Sequence, residues 1–293
     1  MNATPVRTHH GRLRRTLRFI DENLDEPLSL ERLAEVAAMS KFHFHRRFTA
    51  TLGLGVHRYV RLLRLKRATF RLAFRDGIPI TEIALDGAYE GPEAFSRAFK
   101  RHLGQTPSGF RKRPAWRRWA GTFAAVDAAR SMMVADDGER AVTILDFKEI
   151  RVAALAHHGD PALLGDTLRR FIAWRRQALL PPAASATFNL VYCDPATTPA
   201  AAFRLDICAA TDRAVAPNAV GVVGRTIPGG RCAKLRHVGS DATLGEAIAY
   251  LPARWLPRSG ETRRDFPVIL QRVTLFPDVP EHEAVTDIFL PLA

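Results

Sequence analysis

SLERLAEVAAMSKFHFHRRFTATLG, residues 29–53, and PITEIALDGAYEGPEAFSRAFKRHLG, residues 79–104, decide the reading of this chain. In the first, Ser29 precedes Leu30, Leu33, Ala34 and Ala37, an apolar face with Glu31 and Arg32 opposite, so a short capped amphipathic helix is expected. Met39-Ser40 breaks it. Ser40 can cap a second helix in which Phe42, Phe44, Phe48 and Leu52 are apolar while Lys41, His43, His45, Arg46 and Arg47 are polar, and Gly53 ends it. The second stretch repeats the pattern. Phe44, Arg46, Phe48, Leu52 and Gly53 match Phe95, Arg97, Phe99, Leu103 and Gly104 at a constant offset of 51, whereas Ala34 and Ala84 lie 50 apart, so one residue is inserted in the second turn. Outward from these repeats, Leu13, Leu17 and Ile20 mark a helix over 11–24, and a long helix from Val56 to Arg75 joins the two, closed by Asp76-Gly77.

A short helix, a tight turn and a second helix with an apolar inner face form a helix-turn-helix, whose second helix can enter a major groove about 12 Å wide. Two such units on one long helix could address successive groove segments about one turn, ~34 Å, apart. The charge agrees. Of the net charge of +13, all lies before residue 121, with 24 Lys and Arg against 11 Asp and Glu, and the remainder is balanced at 19 each. Charge confined to one part of a chain points to a polyanionic partner for that part.

At these residues the sequence resembles the AraC/XylS family of bacterial transcription regulators over about 11–113, most closely through Phe-Ser-Arg-x-Phe-Lys-Arg (95–101), Gly-x-x-Pro (104–107) and Phe110-Arg111. The resemblance implies double-stranded operator DNA as a partner and RNA polymerase as a further candidate. It places Lys41, Phe42, His45 and Arg46 on the first reading helix and Pro92, Glu93, Ala94 and Arg97 on the second. Arg46 and Arg97 are the candidates for base contacts, since arginine donates two hydrogen bonds to guanine, worth about 1–3 kcal/mol of discrimination. Ser40, His43, Ser96, Lys100 and Arg101 are candidates for phosphate contacts. Where the family often has proline after the first unit's glycine, this chain has Gly53-Leu54-Gly55-Val56.

Residues 114–140, from Trp116-Arg117-Arg118-Trp119 to Asp136-Asp137-Gly138-Glu139, read as a linker, in part helical. Beyond it a second repeat appears. Arg151, Ala153, Leu155, His157, Gly159, Ala162, Leu164 and Gly165 recur 80 residues later as Arg231 to Gly245, eight identities in 18 positions. Two copies of a strand-loop-helix unit follow, completed by strands at 187–193 and 204–209 in the first and 268–275 and 285–290 in the second. The expected architecture is therefore multidomain: an all-α double helix-turn-helix domain, then a duplicated α+β domain over 141–293.

Tyr192-Cys193-Asp194-Pro195, Ile227-Pro228-Gly229-Gly230, His237-Val238-Gly239, Trp255 to Gly260 and Ile288 to Leu292 resemble the gyrase-inhibitor-like effector-binding domain. The resemblance implies a small-molecule effector, with Trp174, Tyr192, Tyr250, Trp255, Gln271 and Phe289 as pocket candidates. Members commonly carry a glutamate where this chain has Gln271, so a neutral or weakly cationic hydrophobic effector is expected. A weak hydrolase acting on small electrophilic compounds is the alternative, as some relatives of this domain are hydrolases.

No catalytic residue, metal or cofactor is expected. His157, His158 and His237 lie beside loop glycines and read as strand-end residues, His157 recurring as His237, and no HExxH or CxxC motif is present. Cys193, Cys208 and Cys232 are widely spaced and odd in number, as in a reducing cytoplasm. No apolar run approaches the roughly 20 residues that cross a bilayer, and the basic N-terminus lacks an export signal, so a soluble cytoplasmic protein without a membrane partner is expected.

Overall fold

The computed structural model describes residues 4–134, 139–194 and 197–293. Asp136, Asp137 and Gly138 of the expected linker, and Pro195, lie outside the described residues. The chain divides into two compact units, 1–136 with 280–282 and 137–279 with 283–293.

The first unit is helical: α1 (Thr4–Glu22), α2 (Leu30–Val36), α3 (Lys41–Leu52), α4 (Val56–Phe74), α5 (Ile80–Asp86), α6 (Pro92–Leu103), α7 (Pro107–Lys112) and α8 (Trp116–Val134). Side-chain chemistry sets the boundaries. Ser29 accepts from Arg32 N at 3.1 Å and Ser40 from His43 N at 3.4 Å, satisfying donors that helix starts leave orphaned. Gly53 and Gly104 end α3 and α6 in the left-handed region, both at φ 69°. The α2–α3 and α5–α6 turns pass through Ala38 (φ 51°) and Ala88 (φ 55°), again 50 apart. The inserted residue of the second unit therefore falls between Ala88 and Pro92.

The cores of the two repeats are aromatic ladders. Phe44 meets Phe48 at 5.5 Å between ring centroids, and Phe48 meets Tyr59 at 5.6 Å. In the second repeat Phe95, Phe99, Phe110 and Trp116 follow one another at 5.4, 5.5 and 5.7 Å, all edge to face. Burying each of these rings contributes about 1.5–3 kcal/mol, with up to ~1.5 more from the edge-to-face geometry. Much of the stretch that reads as a linker is α8, whose Trp116, Phe123, Val126, Ala129 and Met133 are buried. The Trp119 indole donates to Thr69 Oγ1 at 2.7 Å, and Lys66 on α4 pairs with Asp127 at 2.7 Å. That apolar face makes α8 a member of the first unit's core.

The second unit holds β1 (Val142–Phe147), β2 (Ile150–His158), α9 (Leu164–Gln177), β3 (Thr187–Val191), β4 (Arg204–Ala210), β5 (Val223–Ile227), β6 (Gly230–Val238), α10 (Leu244–Tyr250), β7 (Val268–Thr274) and β8 (Val285–Pro291). All eight strands form one antiparallel sheet in the order β1-β6-β8-β7-β3-β4-β2-β5. The duplication is visible in it. β2, α9, β3 and β4 repeat as β6, α10, β7 and β8, the copies meet at β3–β7, and each copy's leading strand pairs with the other copy, β1 on β6 and β5 on β2.

The connections force the sheet to curl. Only residues 148–149 join β1, at one edge, to β2, seventh in the order, and only 228–229 join β5 to β6. A Cβ on Gly229 would lie 3.0 Å from both Glu149 N and Phe147 O, so these two connections touch. Phe147 on β1 reaches Phe289 at 5.0 Å and Phe188 on β3 at 6.4 Å, although four strand spacings in a flat sheet would span about 19 Å. The concave face thus closes on a core of Phe147, Phe188, Leu190, Ile269 and Phe289. The other face carries α9 over Ala153, Leu155 and Ile207 and α10 over Ala233, Leu235 and Ile288.

Candidate nucleic-acid interface and ligand face

On α3 the buried positions are Phe44, Phe48 and Leu52, and on α6 they are Phe95, Phe99 and Leu103. A 3.6-residue period then turns Phe42 and Arg46 outward on the first helix and Glu93, Arg97, Lys100 and Arg101 outward on the second, and all six are exposed. Phe42 is 78% exposed, and its ring supports the Arg46 guanidinium at 5.8 Å. Arg97 has no hydrogen-bond or ionic partner among the described residues. Glu93 holds the place on α6 that Phe42 holds on α3, so the two outward faces differ chemically.

The remaining expected contacts are less uniform. His45 is exposed, while His43, Pro92, Ala94 and Ser96 are half-buried. Ser40 is engaged as the α3 cap, and Lys41 is turned onto α2, pairing with Glu31 at 2.8 Å. That hydrogen bond from Lys41 holds the Glu31 carboxyl below its ordinary value. Two cations escaped the sequence reading: Arg58 and Arg61, exposed on α4. With Arg101 they surround His102, whose imidazole is pushed below its ordinary value by burial and then by these three charges. A positively charged outward side on the long helix was the available signal.

The six expected pocket residues do not converge. Trp174, Tyr250 and Trp255 belong to the helix-bearing face: Trp174 stacks on Phe171 at 5.9 Å, Tyr250 Oη accepts from Arg140 N at 3.0 Å, and Trp255 packs against the core that holds Leu244, Ala247 and Leu251. Tyr192, Gln271 and Phe289 lie on the concave face, where Gln271 is flanked in register by Phe188 and Asp287. The countercharge absent at Gln271 is present beside it. Asp287 takes both guanidinium donors of Arg236 at 2.7 and 2.8 Å and Lys234 at 2.8 Å; burial works against its charge, but these donors outweigh it and hold the carboxyl below its ordinary range.

Asp206 is its counterpart on β4 and is fully buried. Its Oδ2 accepts from Tyr192 Oη at 2.9 Å and lies 3.5 Å from both Arg204 and Arg225. Burial, then the bond to Asp206, pushes the Tyr192 phenol up to about 12, which keeps it a donor at neutral pH. Arg204 lies over the Tyr192 ring at 3.9 Å. Asp206-Ile207 recurs as Asp287-Ile288 at an offset of 81, so extending the repeat by one residue would have found this pair.

Cys208, Cys232, His157 and His237 are occupied structurally. Burial raises Cys208 and Cys232 above the ordinary thiol value. His157 bonds Thr167 Oγ1 at 2.8 Å, and His237 bonds Ser240 O at 3.1 Å. Among the described residues no group of three or more His, Cys, Asp or Glu could hold a metal, and no helix is long and apolar enough to cross a membrane.

Residues 33–113 match a helix-turn-helix domain family, and residues 140–293 match the GyrI-like small molecule binding domain. The chain is 39% identical over 153 residues, 52% of its length and 96% of the relative's, to the probable transcriptional regulator YgiV of Escherichia coli K12. It is 37% identical over 108 residues, 36% of each chain, to the right origin-binding protein of Escherichia coli K12. Among solved structures, the EcmrR C-terminal domain aligns with a TM-score of 0.44 at 15% identity, covering 53% of this chain and 98% of that one. The chain belongs to the family of the GyrI-like small molecule binding domain, which it carries behind an AraC-type helix-turn-helix domain.

Proposed function

We propose that this chain is a cytoplasmic transcription regulator that reads a bipartite operator in double-stranded DNA and changes that binding when its second unit takes up a small molecule. The observation that carries the reading is the equivalence of Arg46 and Arg97, exposed at matched positions of two helices whose opposite faces are fully buried. Each is free to donate to guanine O6 and N7. Phe42 supplies apolar contact suited to a thymine methyl, and Glu93 supplies an acceptor suited to cytosine N4. Arg58, Arg61, Lys100 and Arg101 bind phosphates and fix the register without reading sequence.

The function asks the second unit for binding rather than catalysis, and its effector is neutral or weakly cationic. RNA polymerase is the further partner through which bound regulator would act on transcription. Duplexes selected by the full chain from a random pool test the reading. Gel-shift affinity for the selected duplex should fall steeply with salt as counterions are released, and a salt-independent affinity would remove the proposal.

A further inference from the structure

We propose that the second unit holds its small molecule at Asp206, and that the molecule presents there a neutral group with both a hydrogen-bond donor and an acceptor, such as a carboxamide, urea or lactam. The inference rests on the reading of this unit as a sensor and adds the place and the chemistry.

The two copies of the fold make the case. Asp206 and Asp287 hold the same place, each on the last strand of its copy and each facing the concave side. In the second copy the residue opposite Asp287 on β6 is Arg236, which with Lys234 engages both carboxylate oxygens. In the first copy the residue opposite Asp206 on β2 is Ala156, and Ala154 stands where the other copy has Lys234. The second carboxylate is saturated from within. The first is not: Asp206 Oδ1 is buried with no hydrogen-bond partner among the described residues. Buried polar atoms are normally satisfied, and an orphaned carboxylate oxygen is costly enough to mark a place for a donor from outside the chain.

A second orphan lies beside it. Arg204 Nε is buried without a partner among the described residues, while the same guanidinium lies 3.5 Å from Asp206 Oδ2 and covers Tyr192. One atom needs a donor and the other an acceptor. Chemistry decides between ligand classes: Arg204 and Arg225 already outnumber Asp206, so a further cation gains no net attraction, and a carboxylate-type anion drawn by that excess carries no donor for Asp206 Oδ1. A neutral amide-like group satisfies both atoms, and Phe188 and Leu190 provide an apolar neighbourhood on the same face.

The test uses the full chain with benzamide, benzylamine and benzoate as matched aromatic probes, followed by calorimetry and by the arginine Nε–H signals in NMR. The Arg204 signal is identified by its loss in Arg204→Lys. Benzamide is expected to bind saturably, to bind more tightly than the other two probes, and to shift the Arg204 signal. Ala156→Arg offers Asp206 the internal partner that Arg236 gives Asp287, and is expected to weaken benzamide by about tenfold or more. Asp206→Ala should weaken it similarly, with thermal melts reporting the fold of both variants. Tighter binding of benzylamine, benzamide saturation that leaves Arg204 unshifted, no saturable benzamide binding, or a folded Ala156→Arg with unchanged affinity would overturn the proposal. Operator binding altered by a compound that leaves Arg204 unshifted would sink this site and keep the regulator reading. Benzamide bound at Arg204 in a chain without operator affinity would do the reverse.

Discussion

Arg46 and Arg97 hold the same place on α3 and α6: each lies two residues before a fully buried phenylalanine, Phe48 or Phe99, and four after an exposed side chain, Phe42 or Glu93. Because neither arginine supports the core, its removal should be felt on DNA and not in folding. Arg46→Ala and Arg97→Ala are each expected to cost about 1–3 kcal/mol on the selected operator, with thermal stability changed by less than about 0.5 kcal/mol. Equal losses on operator and random duplex would assign both arginines to phosphate instead.

Phe42 offers a sharper version of the same test. At 78% exposure its truncation forfeits almost no buried area, yet it removes the exposed apolar surface proposed to meet a thymine methyl and the support under Arg46. Phe42→Ala should weaken operator binding while leaving the melting temperature in place, and Glu93→Gln should relax preference at a different base pair. Selection with each variant would report the change in base preference directly.

Fragment boundaries follow from α8. A fragment ending at residue 120 lacks Phe123, Val126 and Met133, each buried and each contributing roughly 1.5–3 kcal/mol. A fragment ending at 134 should therefore melt at a clearly higher temperature and bind DNA more stably than the shorter one. Identical melts would show that α8 adds nothing to the first unit.

Buried His237 sets an acid limit. Burial depresses His237, so its folded-state value lies below the ordinary ~6.5 and the unfolded chain binds the proton more readily. Its contribution is complete above that ordinary value and is lost as the pH falls through it toward the folded value. The full chain should lose stability as the pH falls below about 6.5, and His237→Gln should flatten part of that fall. An unchanged pH profile in the variant would place the acid sensitivity elsewhere.

Much of the fold was legible because its signals are local. Capping serines at 29 and 40, glycines at 53 and 104 and the 3.6-residue spacing of phenylalanines fixed α2 to α6 to within a residue or two. The repeat at offset 80 found β2 with α9 and β6 with α10, and the apolar runs gave β3, β4, β7 and β8. β1 and β5 escaped: they are edge strands, β5 exposed at four of its five positions, without the alternation that marks a half-buried strand. Which residues of α3 and α6 turn outward was legible for the same periodic reason. The grouping of the six pocket candidates was not, since which of two sheet faces an aromatic residue joins depends on register and curl. Trp174 and Tyr250 lie on one face, Tyr192 and Phe289 on the other.

Hydroxyl-radical footprinting of the full chain and its Arg46→Ala and Arg97→Ala variants on the selected operator tests whether two equivalent arginines read two groove segments. Two protected segments about 10–10.5 base pairs apart are expected, with each variant losing protection in a different one. Loss of protection at the same base pairs in both variants, or a single protected segment for the unaltered chain, would contradict it.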